Sequence, residues 1–314
     1  MRKKFPLESR SGNKLIVIIG PTSSGKTSLA LKLAQLFNGE IVSADSRQLY
    51  RGLTIGTGKA TRAELRRVPH HLIDWKNPGK TVSLAQYKKA ADSALAHIIK
   101  SGRNAFLVGG TPLYVRAVLD NYQMPAVAPD KRFRARHEKF SVSLLHKMLH
   151  AVDPNAAKDI GPYNARRLIR ALEVWHVSKR KFSDLKKQSE HRYTSLVLGL
   201  DCPRVELYRR IDRRVDQRMK RGMISEVKTL LKNGVSARWL QSLGLEYRAI
   251  ISYLAEGESP KQKEKLVQSL KYAIHDFARR QLVWYRKFPD VHWVAPDDIT
   301  HTRIMIKHFL NDTW

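Results

Sequence analysis

The chain has 314 residues, of which 42% are hydrophobic and 8% aromatic; that apolar content can offset the entropy of ordering a core and excludes a wholly disordered polymer. Its 58 Lys and Arg against 28 Asp and Glu leave a net charge of +30, which points to a polyanionic partner rather than an ordinary solvated surface. A single cysteine, Cys202, excludes an intramolecular disulfide and a cysteine-built zinc site, and no apolar run is long enough to span a bilayer, so a cytoplasmic protein with no membrane partner is expected.

In chain order, residues 1–12 are basic with no hydrophobic stretch behind them, and read as a mobile arm rather than a secretory signal. The β-branched run 15–19 suits a buried parallel strand; a loop follows over 20–27, then apolar residues at helical spacing over 28–37. A second strand, 40–43, runs out at Asp45. A helix over 84–99 is closed by Ser101-Gly102 and leads to a strand over 105–108, broken by Gly109-Gly110. Strands alternating with helices predict a parallel α/β sheet with ligands at the carboxyl ends of its strands. The stretch 124–129 reads as a linker, 131–187 shows only helical patterns dense in Arg and Lys, and 195–200 reads as a strand rejoining the sheet. The domain reading is therefore an α/β core of 13–121 and 194–314, interrupted by an all-helical insertion over 122–193. Basic helical patterns over 205–233 and 266–288 follow, and then a short strand at 291–294.

Gly20-Pro21-Thr22-Ser23-Ser24-Gly25-Lys26-Thr27 matches G-x-x-x-x-G-K-[ST], with the required strand before it and helix after it. In such a loop the glycines let successive N–H groups turn inward on phosphate oxygens. Lys26 reaches the terminal phosphates, Thr27 offers its hydroxyl to Mg2+, and the helix presents its positive end. The core is thus expected to be P-loop NTPase-like. The Mg2+-binding acid that ATPases carry after a later strand is missing, because 105–108 runs into Gly109-Gly110-Thr111. Asp45, followed by Ser46, is open to three readings: metal ligand, general base or helix N-cap. Gly56-Thr57-Gly58-Lys59 and Gly109-Gly110-Thr111 are either further substrate-contacting loops or plain turns. His70-His71 is not read as a metal site, since adjacent side chains diverge, and Cys202 reads as structural.

Arg166, Arg167 and Arg170 lie on one helical pattern, and Arg209, Arg210, Arg213, Arg214, Arg218 and Arg221 cover much of another. Arg279-Arg280-Gln281-Leu282-Val283-Trp284-Tyr285-Arg286-Lys287 interleaves cations with rings. Cations on phosphates and rings on unpaired bases are how RNA is held, so nucleic acid is the expected partner; Trp284 is open to a stacking or a core reading.

In this order and spacing, the phosphate loop, Asp45-Ser46 with Gln48 and Tyr50, Gly56-Thr57 with Lys59, and Pro69-His70-His71-Leu72-Ile73-Asp74 resemble the tRNA dimethylallyltransferases, also called tRNA isopentenyltransferases. Gly109-Gly110-Thr111, Leu113-Tyr114, Arg167 with Arg170-Ala171-Leu172-Glu173, and Arg280-Gln281 with Trp284 extend the likeness over about 15–293. With one cysteine, the chain is similar to the bacterial type, which lacks a zinc finger. The resemblance implies transfer of a dimethylallyl group from dimethylallyl diphosphate to N6 of adenosine 37 in the tRNA anticodon stem-loop, by a monomer. It implies that the phosphate loop (Gly20, Pro21, Thr22, Ser23, Ser24, Gly25, Lys26 and Thr27) holds the diphosphate rather than ATP, with Mg2+ at Thr27. Asp45 is implied as general base, Arg214 as a group meeting the departing diphosphate, and Thr27 as assisting. The implied tRNA contacts are Asp45, Ser46, Arg47, Gln48, Leu49, Thr111, Arg134, Arg166, Arg167, Leu168, Ile169, Arg170, Arg279, Arg280, Gln281, Trp284 and Arg286. The sequence departs from the pattern at 241–248, where Glu246-Tyr247 stands in place of a glycine-tyrosine step. A prenyltransferase acting on free adenine nucleotides would not need this charge, and an RNA-coupled NTPase would need the missing acid. An RNA-binding protein with a vestigial loop would not retain every residue the chemistry requires.

Overall fold

The computed structural model describes residues 13–123, 125, 127–185 and 190–313; the basic arm 1–12, parts of the 124–129 linker and the end of the 131–187 helical pattern lie outside them. Six strands, β1 (Lys14–Ile19), β2 (Gly39–Ser43), β3 (His70–His71), β4 (Asn104–Val108), β5 (Thr194–Leu200) and β6 (Val291–Val294), form one sheet in the order β3-β2-β4-β1-β5-β6. Every pairing is parallel, and Val17 pairs with both Leu107 and Val197, so β1 is central. Both of its faces are covered, which is why its sequence is a continuous apolar run: Leu15, Val17 and Ile19 enter one apolar layer, Ile16 and Ile18 the other.

Helix α1 (Lys26–Leu36) begins earlier than its apolar pattern, directly after Gly25, whose φ of 96° makes the left-handed turn out of the loop. Helices α2 (Arg62–Arg67) and α3 (Leu84–Lys100) each start in a reciprocal capping box, Thr61 with Glu64 and Ser83 with Gln86. Helix α4 (Pro112–Leu119) follows β4. The strand at β3 was not expected. His70-His71 pairs with Ile41 and Val42 at the sheet edge, and His71 Nε2 lies 2.6 Å from the Glu40 carboxylate. Among the described residues no cluster of His, Cys, Asp and Glu could hold a metal, and no helix is long and apolar enough to cross a membrane.

The chain divides into two compact units, Met1–Leu119 with Arg192–Trp314, and Asp120–His191. The second contains α5 (Lys131–His137), α6 (Val142–Val152), α7 (Pro154–Ile160), α8 (Ala165–Ser178) and α9 (Phe182–Leu185) around Leu145, Leu149, Ala157, Leu168 and Leu172. After β5 come α10 (Arg204–Lys220), α11 (Met223–Lys232), α12 (Ala237–Ser242), α13 (Leu245–Ala255), α14 (Pro260–Tyr285) and, beyond β6, α15 (Ile299–Leu310). The helical pattern over 205–233 is two helices, broken where Gly222 takes a φ of 90°.

Candidate active site

The ends of β1, β2 and β4 converge on one cavity of about 240 Å³, walled by the phosphate loop, Asp45, Thr111, Arg214 and, from α14, Ile274 and Phe277. The phosphate loop turns back on itself through Ser23 (φ 63°) and Gly25. No side chain caps α1 and its first turn carries no acid, so its leading N–H groups are left for an external anion. Lys26 Nζ folds back to donate to the Pro21 carbonyl at 2.6 Å. Burial pushes its ammonium down to about 7, with Arg214 acting the same way and Asp45 opposing both. Burial, reinforced by Arg218, likewise lowers Arg214 to about 10. Arg214 so lowered still keeps its proton at neutral pH, while Lys26 is close to half-protonated there, and a multiply charged anion would favour the charged form of both.

Asp45 stands at the carboxyl end of β2. Its Oδ1 accepts from the backbone N–H of Arg47 (2.9 Å) and Gln48 (3.4 Å), which closes a turn rather than capping a helix, since residues 46–49 are a turn and the next helix begins at Arg62. Oδ2 accepts no hydrogen bond among the described residues. A Cβ built on Gly110 would lie 4.0 Å from Asp45 Oδ2 and 3.9 Å from Lys26 Nζ, so the carboxylate and the phosphate-loop lysine face one small space. Thr111 anchors the neighbouring turn: its Oγ1 accepts from Ser46 N–H at 3.0 Å and its own N–H donates to the Ala44 carbonyl at 3.1 Å. Gly109 is required because a Cβ there would collide with the Ala44 backbone.

The structure brings together the phosphate loop, Asp45 to Gln48, Thr111 and Arg214. Four of the expected tRNA contacts have buried side chains. Leu49 is wholly buried under the sheet, and Leu168 and Ile169 face inward on α8 to form the second unit's core. Gln281 is buried as a strut: its Oε1 accepts from Thr22 N–H at 2.8 Å and its Nε2 donates to the Gly110 carbonyl at 2.5 Å. Arg166 and Arg167 are exposed, whereas Arg134 and Arg170 both bond the buried Glu173 carboxylate, at 2.7 and 2.5 Å. Arg279, Arg280 and Arg286 are exposed, the first two paired with Asp276, and Trp284 is 46% exposed, which removes its core reading.

Sequence reasoning missed the residues that brace this cavity. Glu246 is not a local irregularity: its carboxylate bridges Arg218 (3.2 Å) and Arg47 (3.3 Å), both at the cavity wall. Glu226 takes the backbone N–H groups of Thr54, Ile55 and Gly56 together with the Tyr247 hydroxyl. Lys59 does not reach the cavity; its ammonium bonds the Tyr50 carbonyl and Asp74 Oδ1, stitching the Gly56 to Lys59 loop to the segment after β3. For Mg2+, Thr27 offers an exposed hydroxyl with no hydrogen bond among the described residues, beside the anion cradle. That fits an ion which takes few protein oxygens and completes its shell with phosphate and water.

A family model described as IPP transferase matches residues 48–288. A tRNA dimethylallyltransferase of Thermomicrobium roseum is 44% identical over 283 residues, covering 89% of this chain and 85% of that protein. One from Bacillus cytotoxicus is 39% identical over 309 residues, covering 96% of each. The crystal structure of a full-length tRNA isopentenylpyrophosphate transferase from Bacillus halodurans matches with a TM-score of 0.71 at 36% identity, over 96% of this chain and 97% of that one.

Proposed function

The chain belongs to the IPP transferase family of tRNA dimethylallyltransferases, and we propose that it transfers the dimethylallyl group of dimethylallyl diphosphate to N6 of adenosine 37 in tRNA, releasing diphosphate. In this reading the diphosphate lies on the phosphate loop, its oxygens met by the N–H groups at the start of α1, by Lys26 and by Arg214. Thr27 would hold Mg2+, which would supply further positive charge against the leaving diphosphate. The adenosine is flipped out of its stack to enter the cavity, at a cost of a few kcal/mol. As N6 bonds to the allylic carbon, the carbon–oxygen bond breaks and its electron pair leaves with diphosphate. The N6 proton passes to Asp45 Oδ2, whose partner oxygen is fixed by the Arg47 and Gln48 N–H groups.

The observation that carries this reading is the free Oδ2 of Asp45 facing the same small space as Lys26 Nζ: a proton acceptor set against a phosphate site. The test is one incubation with unmodified tRNA, Mg2+ and radiolabelled dimethylallyl diphosphate, beside a second with labelled ATP. Label entering tRNA from the prenyl donor, and lost on changing Asp45, is expected. RNA-stimulated ATP hydrolysis without transfer would overturn the reading.

A further inference from the structure

Arg214 has no carboxylate of its own. Among the described residues its guanidinium makes a single hydrogen bond, Nη2 to the Gly58 carbonyl at 3.3 Å, and it makes no ion pair. Gly58 is where the loop lies flat against the arginines, since a Cβ there would collide with the guanidinium groups of both Arg214 and Arg218. Helix α10 carries Arg214, and the Gly58 carbonyl is the one protein acceptor, among the described residues, that sets the direction of its guanidinium.

The loop closes on itself through Gly58 N–H to the Ile55 carbonyl, Lys59 N–H to the Thr54 carbonyl and the Thr57 hydroxyl to the Leu53 carbonyl. Glu226, in the first turn of α11, ties it to the rest of the fold. Its Oε2 accepts from the N–H groups of Thr54 (2.8 Å) and Ile55 (2.6 Å), and its Oε1 from Gly56 (3.0 Å). Consecutive N–H groups converging on one anion form a nest of the kind that usually binds phosphate, here filled by the protein's own carboxylate. The Tyr247 hydroxyl donates to Oε1 at 3.1 Å from the other side, and Gly56 is needed because a Cβ there would come within 2.7 Å of that hydroxyl. Beyond the nest the loop's carbonyls turn the opposite way. Gly58 accepts from Arg214, and Thr57 and Gly58 accept from Gln48 Nε2 at 3.5 and 3.4 Å. Gln48 in turn donates its backbone N–H to Asp45.

We propose that Glu226 is a positioning residue, which holds the 54–58 loop by its backbone so that the Gly58 carbonyl sets Arg214 over the diphosphate site. It touches no reacting atom and acts through Arg214. The proposal rests on the reading that Arg214 meets diphosphate, and its test needs no prenyl transfer.

The test is a double-mutant cycle read as inorganic pyrophosphate affinity by titration calorimetry with Mg2+, on the intact chain, for wild type, Glu226→Gln, Arg214→Ala and the pair. Glu226→Gln keeps the side chain's size but turns an amide N–H toward the nest. It is expected to weaken pyrophosphate binding roughly 5- to 20-fold in wild type and less than about 2-fold once Arg214 is absent. Equal factors in both backgrounds, or no loss from either single change, overturn the positioning role. Tyr247→Phe removes one bond to the same carboxylate and gives a smaller loss with the same dependence on Arg214, so the cycle survives if Glu226→Gln does not fold. A chain that shows this coupling but transfers no prenyl group would refute the proposed reaction and still support Glu226 as the support of Arg214.

Discussion

Asp45 divides two tasks between its two oxygens, one closing the turn after β2 and the other left open to the cavity. Asp45→Asn separates them, because the amide oxygen can still cap the turn while the basic oxygen is lost. Turnover is expected to fall roughly 10²- to 10⁴-fold, the range for a general base, with tRNA affinity nearly unchanged. Single-turnover kinetics beside a filter-binding titration separates the two, and an equal fall in both would reassign Asp45 to binding. Lys26 makes a pH prediction. Held down to about 7, it is mostly neutral at pH 8 in the free chain, and a bound diphosphate restores its proton. Diphosphate binding should therefore take up a proton at pH 8 and almost none at pH 6. Calorimetry in buffers of different ionisation enthalpy reads this, and Lys26→Met should abolish it. The sign for stability follows from the same shift. Between about 7 and the ordinary lysine value the unfolded chain binds a proton that the folded one refuses, so this group makes stability rise with pH across that window and contributes no slope below it.

At the scale of elements, Glu173 shows how α8 is tied to α5. Burial alone would raise its carboxyl, but hydrogen bonds from Arg134, Arg170 and the Asp130 N–H outweigh that and hold it below the usual glutamate range. Its stabilisation is thus present above the unfolded pKa and lost as pH falls through the lower folded one. Glu173→Gln should cost about 1–3 kcal/mol at neutral pH, with the arginines' partial exposure limiting the loss, and should flatten the acid limb of a thermal-melt series. An acid limb unchanged from wild type would show that the pairing adds nothing to folding. The same helix illustrates what could be read in advance. The spacing of Leu168 and Leu172 marks an inward stripe, and it overrides the grouping of 166–170 as one contact surface. The central strand and phosphate loop were legible because an apolar run buried on both faces has few alternatives. The edge strand β3 was not, since His70-His71 is too short for any period. Glu226 and Glu246 act on residues about 170 and 199 positions away, Thr54 to Gly56 and Arg47, and local pattern carries no trace of such contacts.

Across the whole molecule the charge of +30 is not uniformly available to a polyanion. Arg134 and Arg170 share the Glu173 carboxylate, Arg209 and Arg210 share Glu206, and Arg279 and Arg280 share Asp276, so each of these pairs is half compensated. Arg166 and Arg167 are exposed and make no ion pair among the described residues, so a phosphate can displace counterions from them without first breaking a bridge. Arg167→Ala is accordingly expected to weaken tRNA binding and to lower the slope of log K against log salt by about one unit. Asp276→Asn should do the reverse. Releasing Arg279 and Arg280 from their carboxylate makes two more cations available and removes a like-charge repulsion, so affinity rises and the slope steepens. Titrations over a salt series measure both variants together. If Arg167→Ala leaves the slope unchanged while Asp276→Asn still steepens it, the tRNA rests on α14 and not on α8. If neither moves it, the excess charge acts as a diffuse field, with no particular arginine seated on a phosphate.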